Sequence, residues 1–166
     1  PSRGLIGFQT EFRTLTSGLG LLFHVFDHYA PVSEREIASR QNGVMISNGT
    51  GTVLGYSLFN LQERGKLMCS HGDEVYEGQV IGIHSRDNDL VVNPLKGKKL
   101  TNMRAAGKDE NIVLTTPVRY TLEQAMEFIE DDELVEITPS SIRIRKRQLK
   151  ELDRKRAGRG SASEED

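Results

Sequence analysis

The run Ser141-Ile142-Arg143-Ile144-Arg145-Lys146-Arg147 constrains this chain more than any other segment, because apolar and cationic residues alternate along it. Period-two alternation belongs to a half-buried strand, whose successive side chains leave on opposite faces. Ile142 and Ile144 are expected to seat in a core, while Arg143, Arg145 and Arg147 stand in a row outside. Side chains two residues apart on a strand lie roughly 6.6 Å apart, a pitch that suits successive phosphates of a nucleic-acid strand. Each guanidinium can hold phosphate oxygens in bidentate fashion. A second reading stays open at this point: charge on an edge strand also prevents sheets from pairing edge to edge.

The charge distribution sharpens the first reading. The 166 residues carry a formal net charge of −2, an average over unlike segments. Glu127, Glu130, Asp131, Asp132, Glu133 and Glu136 make one stretch acidic, and Arg143 to Arg159 is strongly basic. Such asymmetry points to an anionic partner. The length suits one domain, or one domain with a piece of another. The single cysteine, Cys69, leaves no internal disulfide framework or thiolate metal cage, so a cytoplasmic location is expected. No apolar run approaches the ~20 residues needed to span a bilayer, and no signal-peptide core opens the chain. It begins at Pro1 in what reads as the lead-in to a helix, so a fragment of something longer is expected.

The fold class expected is α+β: a partial ferredoxin-like plait, helix plus strand, followed by a β-rich domain with one principal amphipathic helix. Residues 2–17 read as a helix, with Ser2 as N-cap, Leu5, Phe8, Phe12 and Leu15 on one stripe and Gly18 as the stop. Leu19 to Tyr29 switches to period two and reads as a strand whose natural partners are missing. Pro31 and Ser33-Glu34-Arg35-Glu36 mark a boundary. Val44–Ile46, a turn at Asn48-Gly49 and a return over Thr52–Phe59 read as a hairpin. Leu61–Leu67 reads as a helical turn or loop, and Leu90–Asn93, Ile112–Leu114, Val118–Tyr120 and Leu134–Ile137 as strands. Thr121 and Gln124 make a capping-box start for a helix that buries Leu122, Ala125, Met126 and Ile129. The tail from 151 to 166 is charged, weakly helical at most, and expected to be disordered.

Catalytic chemistry is not written in the chain. It has no Walker A pattern, no dinucleotide-binding glycine fingerprint and no His-Glu-x-x-His. His24, His28, His71 and His84 do not cluster, and His24 and His28 on one strand would stand roughly 13 Å apart. No catalytic or metal residue is assigned. Gly72-Asp73-x-Val75-x-x-Gly78-Gln79-x-Ile81 superficially resembles biotinyl and lipoyl carriers, but no attachment lysine sits at a suitable distance. The segment from Lys96 to Asn111 lacks apolar periodicity and is basic, through Lys98, Lys99, Arg104 and Lys108. A loop this long inside a domain is functional or disordered. The absence of aromatics there argues against stacking on single-stranded bases.

Longer motifs carry a family likeness. Pro1-Ser2-Arg3-Gly4-Leu5-Ile6-Gly7-Phe8, Arg40-Gln41-Asn42-Gly43-Val44, Gly72-x-x-Val75-Tyr76-Glu77-Gly78-Gln79, Gly97-Lys98-Lys99-Leu100-Thr101-Asn102-Met103-Arg104-Ala105 and the Ser141–Arg147 run resemble the BipA (TypA) family. These are bacterial ribosome-associated translational GTPases related to elongation factor G. The likeness runs from Pro1 to Leu149. It implies that residues 1–32 are the second half of an elongation-factor-G-type domain V and that 33–150 form the family-specific C-terminal domain. The GTPase domain, with its GTP and Mg, would lie upstream, so no enzyme activity and no cofactor is expected in this piece. The implied partners are the 70S ribosome, its large subunit, 23S rRNA and the acceptor arm of A-site tRNA, with no DNA and no membrane. Large-subunit assembly and stress adaptation are the implied processes.

The RNA-binding residues expected are Lys98, Lys99, Asn102, Arg104 and Lys108 on the long loop and Arg143, Arg145, Lys146 and Arg147 on the strand. Arg64, Lys66 and Arg86 are weaker candidates. Charge and shape can hold such a partner without base readout. The rival expectation is a protein-interaction module that docks a non-RNA partner through the acidic and basic segments.

Overall fold

The computed structural model describes residues 2–5, 8–31, 40–97 and 112–161. A 3₁₀ turn over Ser2–Leu5 precedes helix α1, Phe8–Leu15, so the helix expected over 2–17 begins as a 3₁₀ turn and its α-helical part ends at Leu15. Gly18, at φ +83°, ends it by donating its N–H to the Arg13 carbonyl. The strand expected over Leu19–Tyr29 is absent among the described residues. Leu21, Phe23 and Val25 stand exposed there, since a period-two pattern makes a strand only when a neighbour takes its ladder hydrogen bonds.

The rest is built on one six-stranded sheet. In chain order the elements are β1 (Val44–Ser47), β2 (Gly51–Thr52), α2 (Gly55–Leu61), β3 (Gly65–Leu67), β4 (Glu74–Val75), β5 (Gln79–His84), β6 (Leu90–Val92), α3 (Leu122–Phe128), β7 (Glu133–Thr138), β8 (Ser141–Lys146) and α4 (Glu151–Ser161). The sheet order is β6-β1-β5-β8-β7, with β3 also paired to β5, while β2 and β4 form a separate two-stranded ribbon. Only β1 and β6 are parallel among these pairs.

The hairpin expected over 44–59 is corrected. β1 is buried along its whole length and takes central place between β5 and β6, so the chain after Asn48-Gly49 has no room to return beside it. It makes the short β2 and then α2, in which Leu58 and Leu61 share the buried face. Ile112–Leu114 and Val118–Tyr120 are likewise not strands, although the Val118 N–H reaches the Leu67 carbonyl at 2.7 Å. The tail expected to be disordered is helical to Ser161, and 162–166 lie outside the described residues. Strands β6, β7 and β8 and helix α3 fall within a residue or two of their expected positions.

Two cores lie on the two faces of the sheet. One gathers Met45, Val53, Leu58, Leu61, Leu67, Val75, Ile81 and Val92 beneath α2 and the β2–β4 ribbon. The other gathers Val44, Ile46, Val80, Ala125 and Ile144, with Tyr120, Phe128 and Val135 packed against them. α3 begins with the expected capping box: the Gln124 N–H donates to Thr121 Oγ1 at 3.3 Å, and the Thr121 N–H donates to Gln124 Oε1 at 3.0 Å. That start turns Ala125 inward, where it is fully buried over the second core.

Candidate nucleic-acid interface

The β7–β8 hairpin positions the arginines. Its register runs from Glu133↔Lys146 to Thr138↔Ser141, closed by Pro139 and Ser140. Alternation then separates two faces. Ile142, Ile144 and Lys146 share one with Glu133, Val135 and Ile137; Arg143 and Arg145 share the other with Leu134 and Glu136. Ile144 fills the second core as expected, a burial worth about 1.5–3 kcal/mol. Ile142 is exposed, because β8 pairs β5 only through Gln79↔Arg145 and Val80↔Ile144 and has diverged from it by residue 142.

Arg143 and Arg145 stand side by side, about one-third exposed, on either side of Glu136. Arg143 Nη1 lies 3.3 Å from Glu136 Oε1, and Arg145 Nε lies 3.9 Å from Oε2. The Tyr76 hydroxyl donates to the same Oε2 at 2.5 Å. Burial, and then the carboxylate itself, push the Tyr76 phenol above its usual pKa, which keeps it a proton donor. Arg147 is exposed and has no ion-pair partner among the described residues.

Lys146 is a correction. Expected among the RNA-facing cations, it has a side chain 2% exposed and directed to the opposite face from Arg145. Its Nζ lies 2.6 Å from Asp89 Oδ2, 2.8 Å from Asp132 Oδ2 and 3.0 Å from Glu133 Oε1. Burial pulls its pKa down, but these carboxylates outweigh that and hold it at about 12. Beside it, Arg40 grips the other side of Glu133, contacts Glu130 at 3.2 Å and stacks over the Phe128 ring at 4.5 Å. Glu130, Asp132 and Glu133 bring oxygens within 4.8 Å of one another, a spacing able to hold a metal ion; here Arg40 and Lys146 supply the countercharge.

Of the weaker candidates, Arg64, Lys66 and Arg86 are all exposed. The structure brings Arg64 and the 85–86 turn together, since the Ser85 N–H and Oγ both donate to the Arg64 carbonyl, at 2.9 and 2.8 Å. Arg64 also lines a groove of about 530 Å³ with Tyr56, Asn60, Asn93 and Lys96. This group sits by the His84 end of β5, and Arg145 by the Gln79 end, roughly 17 Å away along the strand. Lys98, Lys99, Asn102, Arg104 and Lys108 lie outside the described residues.

Sequence reasoning missed Tyr76, Glu136 and Arg40. A signal existed for Glu136: a two-residue Pro139-Ser140 turn fixes it directly opposite Arg143. Tyr76 and Arg40 arrive from distant segments with no local signal.

Fold and site together define an α+β module that displays a partly shielded arginine row on a β-hairpin at the sheet edge. A family model described as the TypA/BipA C-terminal domain matches residues 42–151, and one for the elongation factor G C-terminus matches residues 1–40. The chain belongs to the TypA/BipA family, which it matches through its C-terminal domain. It is 68% identical over 163 residues to the large ribosomal subunit assembly factor BipA of Haemophilus influenzae, covering 98% of this chain and 26% of that protein. The factors of the same name from Salmonella typhimurium (63% identical, 99% and 27% covered) and Escherichia coli K12 (67% identical, 96% and 26% covered) are similarly related. The chain thus spans about a quarter of the length of these relatives.

Proposed function

We propose that this chain is the ribosome-binding C-terminal region of a translational GTPase that acts in assembly of the large ribosomal subunit. Its contact is with RNA phosphates, through Arg143, Arg145 and Arg147 and through the basic segment holding Lys98, Lys99, Asn102, Arg104 and Lys108. The observation that carries this reading is the outward arginine row on a hairpin whose other face is anchored in the core. The names borne by relatives 63–68% identical support the ribosomal partner. Within the large subunit, 23S rRNA and the acceptor arm of A-site tRNA are the partners this reading favours, in the cytoplasm. GTP and Mg belong to a domain outside this sequence, and this region performs no reaction of its own. Among the described residues no helix is long and apolar enough to cross a membrane.

The rival, a protein-docking module, has most of its acids already engaged, with Asp131 left exposed. Glu130, Asp132 and Glu133 already face Arg40 and Lys146, and Glu136 faces Arg143 and Arg145. Co-sedimentation with purified large subunits across a salt series tests the proposal. Binding is expected to fall with log salt by about 0.7 to 0.9 per phosphate neutralised. The R143A/R145A/R147A variant and the K98E/K99E/R104E variant are each expected to weaken it. Undiminished binding by both variants would overturn the reading.

A further inference from the structure

The geometry points to a single-phosphate subsite formed by Arg143, Arg145 and the Tyr76 hydroxyl, in which the Glu136 carboxylate is a built-in competitor that an RNA phosphate must displace. This rests on the RNA-contact reading above and goes further, naming the seat of one backbone phosphate and what limits its affinity. Two donors and a further cation converge on one carboxylate: a hydroxyl at 2.5 Å and the Arg143 guanidinium at 3.3 Å, with the Arg145 guanidinium at 3.9 Å while its Nη1 donates to the Lys146 carbonyl. A carboxylate and a phosphate present similar oxygens to such donors, and the guanidinium fork matches both.

The distances show how the occupant is held. Only the hydroxyl bond is short; the two guanidinium contacts are long and about one-third exposed, so each is weak and screened by solvent. A phosphate, carrying more oxygens and reaching in from solvent, can draw both forks toward itself. Glu136 then keeps Tyr76 or swings aside. Gln79, paired across from Arg145 on β5, is a buried polar neighbour whose Oε1 accepts from the Tyr76 N–H at 3.3 Å, which fixes the backbone carrying the phenol. Asp73 and Glu74 line a groove with Arg143 and Gln79, but Asp73 is held by the Ser70 N–H and Arg119 and Glu74 by the Thr52 hydroxyl, while Glu77 is turned to the Glu151 N–H at the start of α4.

The test is binding of a short fluorescent RNA duplex to this chain and its variants at several KCl concentrations. E136Q keeps the shape and removes the charge, and is expected to bind about two- to fivefold more tightly, with a salt dependence steeper by about one phosphate. Y76F placed on E136Q is expected to give part of that gain back. Unchanged or weaker binding by E136Q, with thermal unfolding like that of the parent, overturns the subsite. If E136Q does not fold, inorganic phosphate titrated into the unaltered chain decides. The Nε–H resonances of Arg143 and Arg145 are expected to shift while those of Arg64 and Arg86 do not, and equal response at all four overturns the proposal. Loss of the RNA reading has a different signature: R143A/R145A then binds the duplex as the parent does.

Discussion

Arg40 and Glu133, 93 residues apart, meet as two forks: Nη1 on Oε2 at 2.9 Å and Nη2 on Oε1 at 3.0 Å. The Glu133 side chain has no exposed surface, and Arg40 closes over it with further bonds to the carbonyls of Asn42 and Phe128. Arg40 is the last residue of the segment matching the elongation factor G C-terminus. It stands two residues before the segment matching the TypA/BipA C-terminal domain. Removing Arg40 leaves the buried Glu133 carboxylate only Lys146 and the Glu130 N–H against its charge. R40A is expected to lower unfolding free energy by about 3–5 kcal/mol in urea titration, and R40M/E133L to lose much less. A loss under about 1 kcal/mol for R40A would place the pair among inert surface contacts.

Lys146 makes stability depend on alkaline pH. Its pKa rises from 10.5 unfolded to about 12 folded, so its stabilising contribution is complete below 10.5 and disappears as pH climbs to about 12. Tyr76 and Tyr120, also raised, lose stability in the same direction, so the comparison must be with a variant at Lys146. K146M is expected to show a smaller drop in thermal midpoint across that window than the parent. Equal drops would mean the lysine contributes nothing specific.

Gly78 holds φ +86°, and a Cβ there would stand 2.6 Å from the backbone of Leu149. Its carbonyl accepts from the Lys146 N–H at 2.9 Å, so the site joins β8 to the approach of α4. G78A combines left-handed strain with a backbone clash and is expected to cost about 1–3 kcal/mol. The check is chemical denaturation with hydrogen exchange on β8, whose amides are expected to lose protection first.

The cap on α3 is simpler to weigh. T121A removes the hydroxyl that accepts from Gln124 and is expected to cost about 1 kcal/mol, with T121S near neutral. Thermal melting of both variants separates the hydroxyl from the methyl.

Within the arginine row, shielding sets rank. Arg147 has no acid partner among the described residues, whereas Arg143 shares Glu136. R147A is expected to reduce large-subunit binding more than R143A, and R143A is expected to gain in effect once E136Q is present. Sedimentation of the single and double variants measures both.

What could be read in advance follows from range. The Thr121–Gln124 box is a four-residue relationship, and α3 starts where it says. The Ile/Arg alternation is equally local, and β8 follows it. Its outer partners were not readable, because Tyr76 and Glu136 reach the arginines only once β4, β5 and the hairpin have assembled. Lys146 shows the same limit more sharply. Inside a basic run it looks like its neighbours, and nothing nearby announces Asp89, 57 positions earlier, at 2.6 Å. The hairpin over 44–59 failed for a related reason. Asn48-Gly49 does turn the chain, but the partner of β1 was decided by where four buried residues could be enclosed, not by the turn.

β5 accepts three strands: β1 along one side, and β3 and β8 sharing the other. Its last neighbour, β8, begins at Ser141, 57 positions after β5 ends at His84. While the polypeptide is being synthesised, the middle of the sheet therefore waits with a raw hydrogen-bonding margin until the final strand emerges, which makes folding late, non-local and slow. A translation arrest short of that strand would release a sticky intermediate, and chaperones would meet it there.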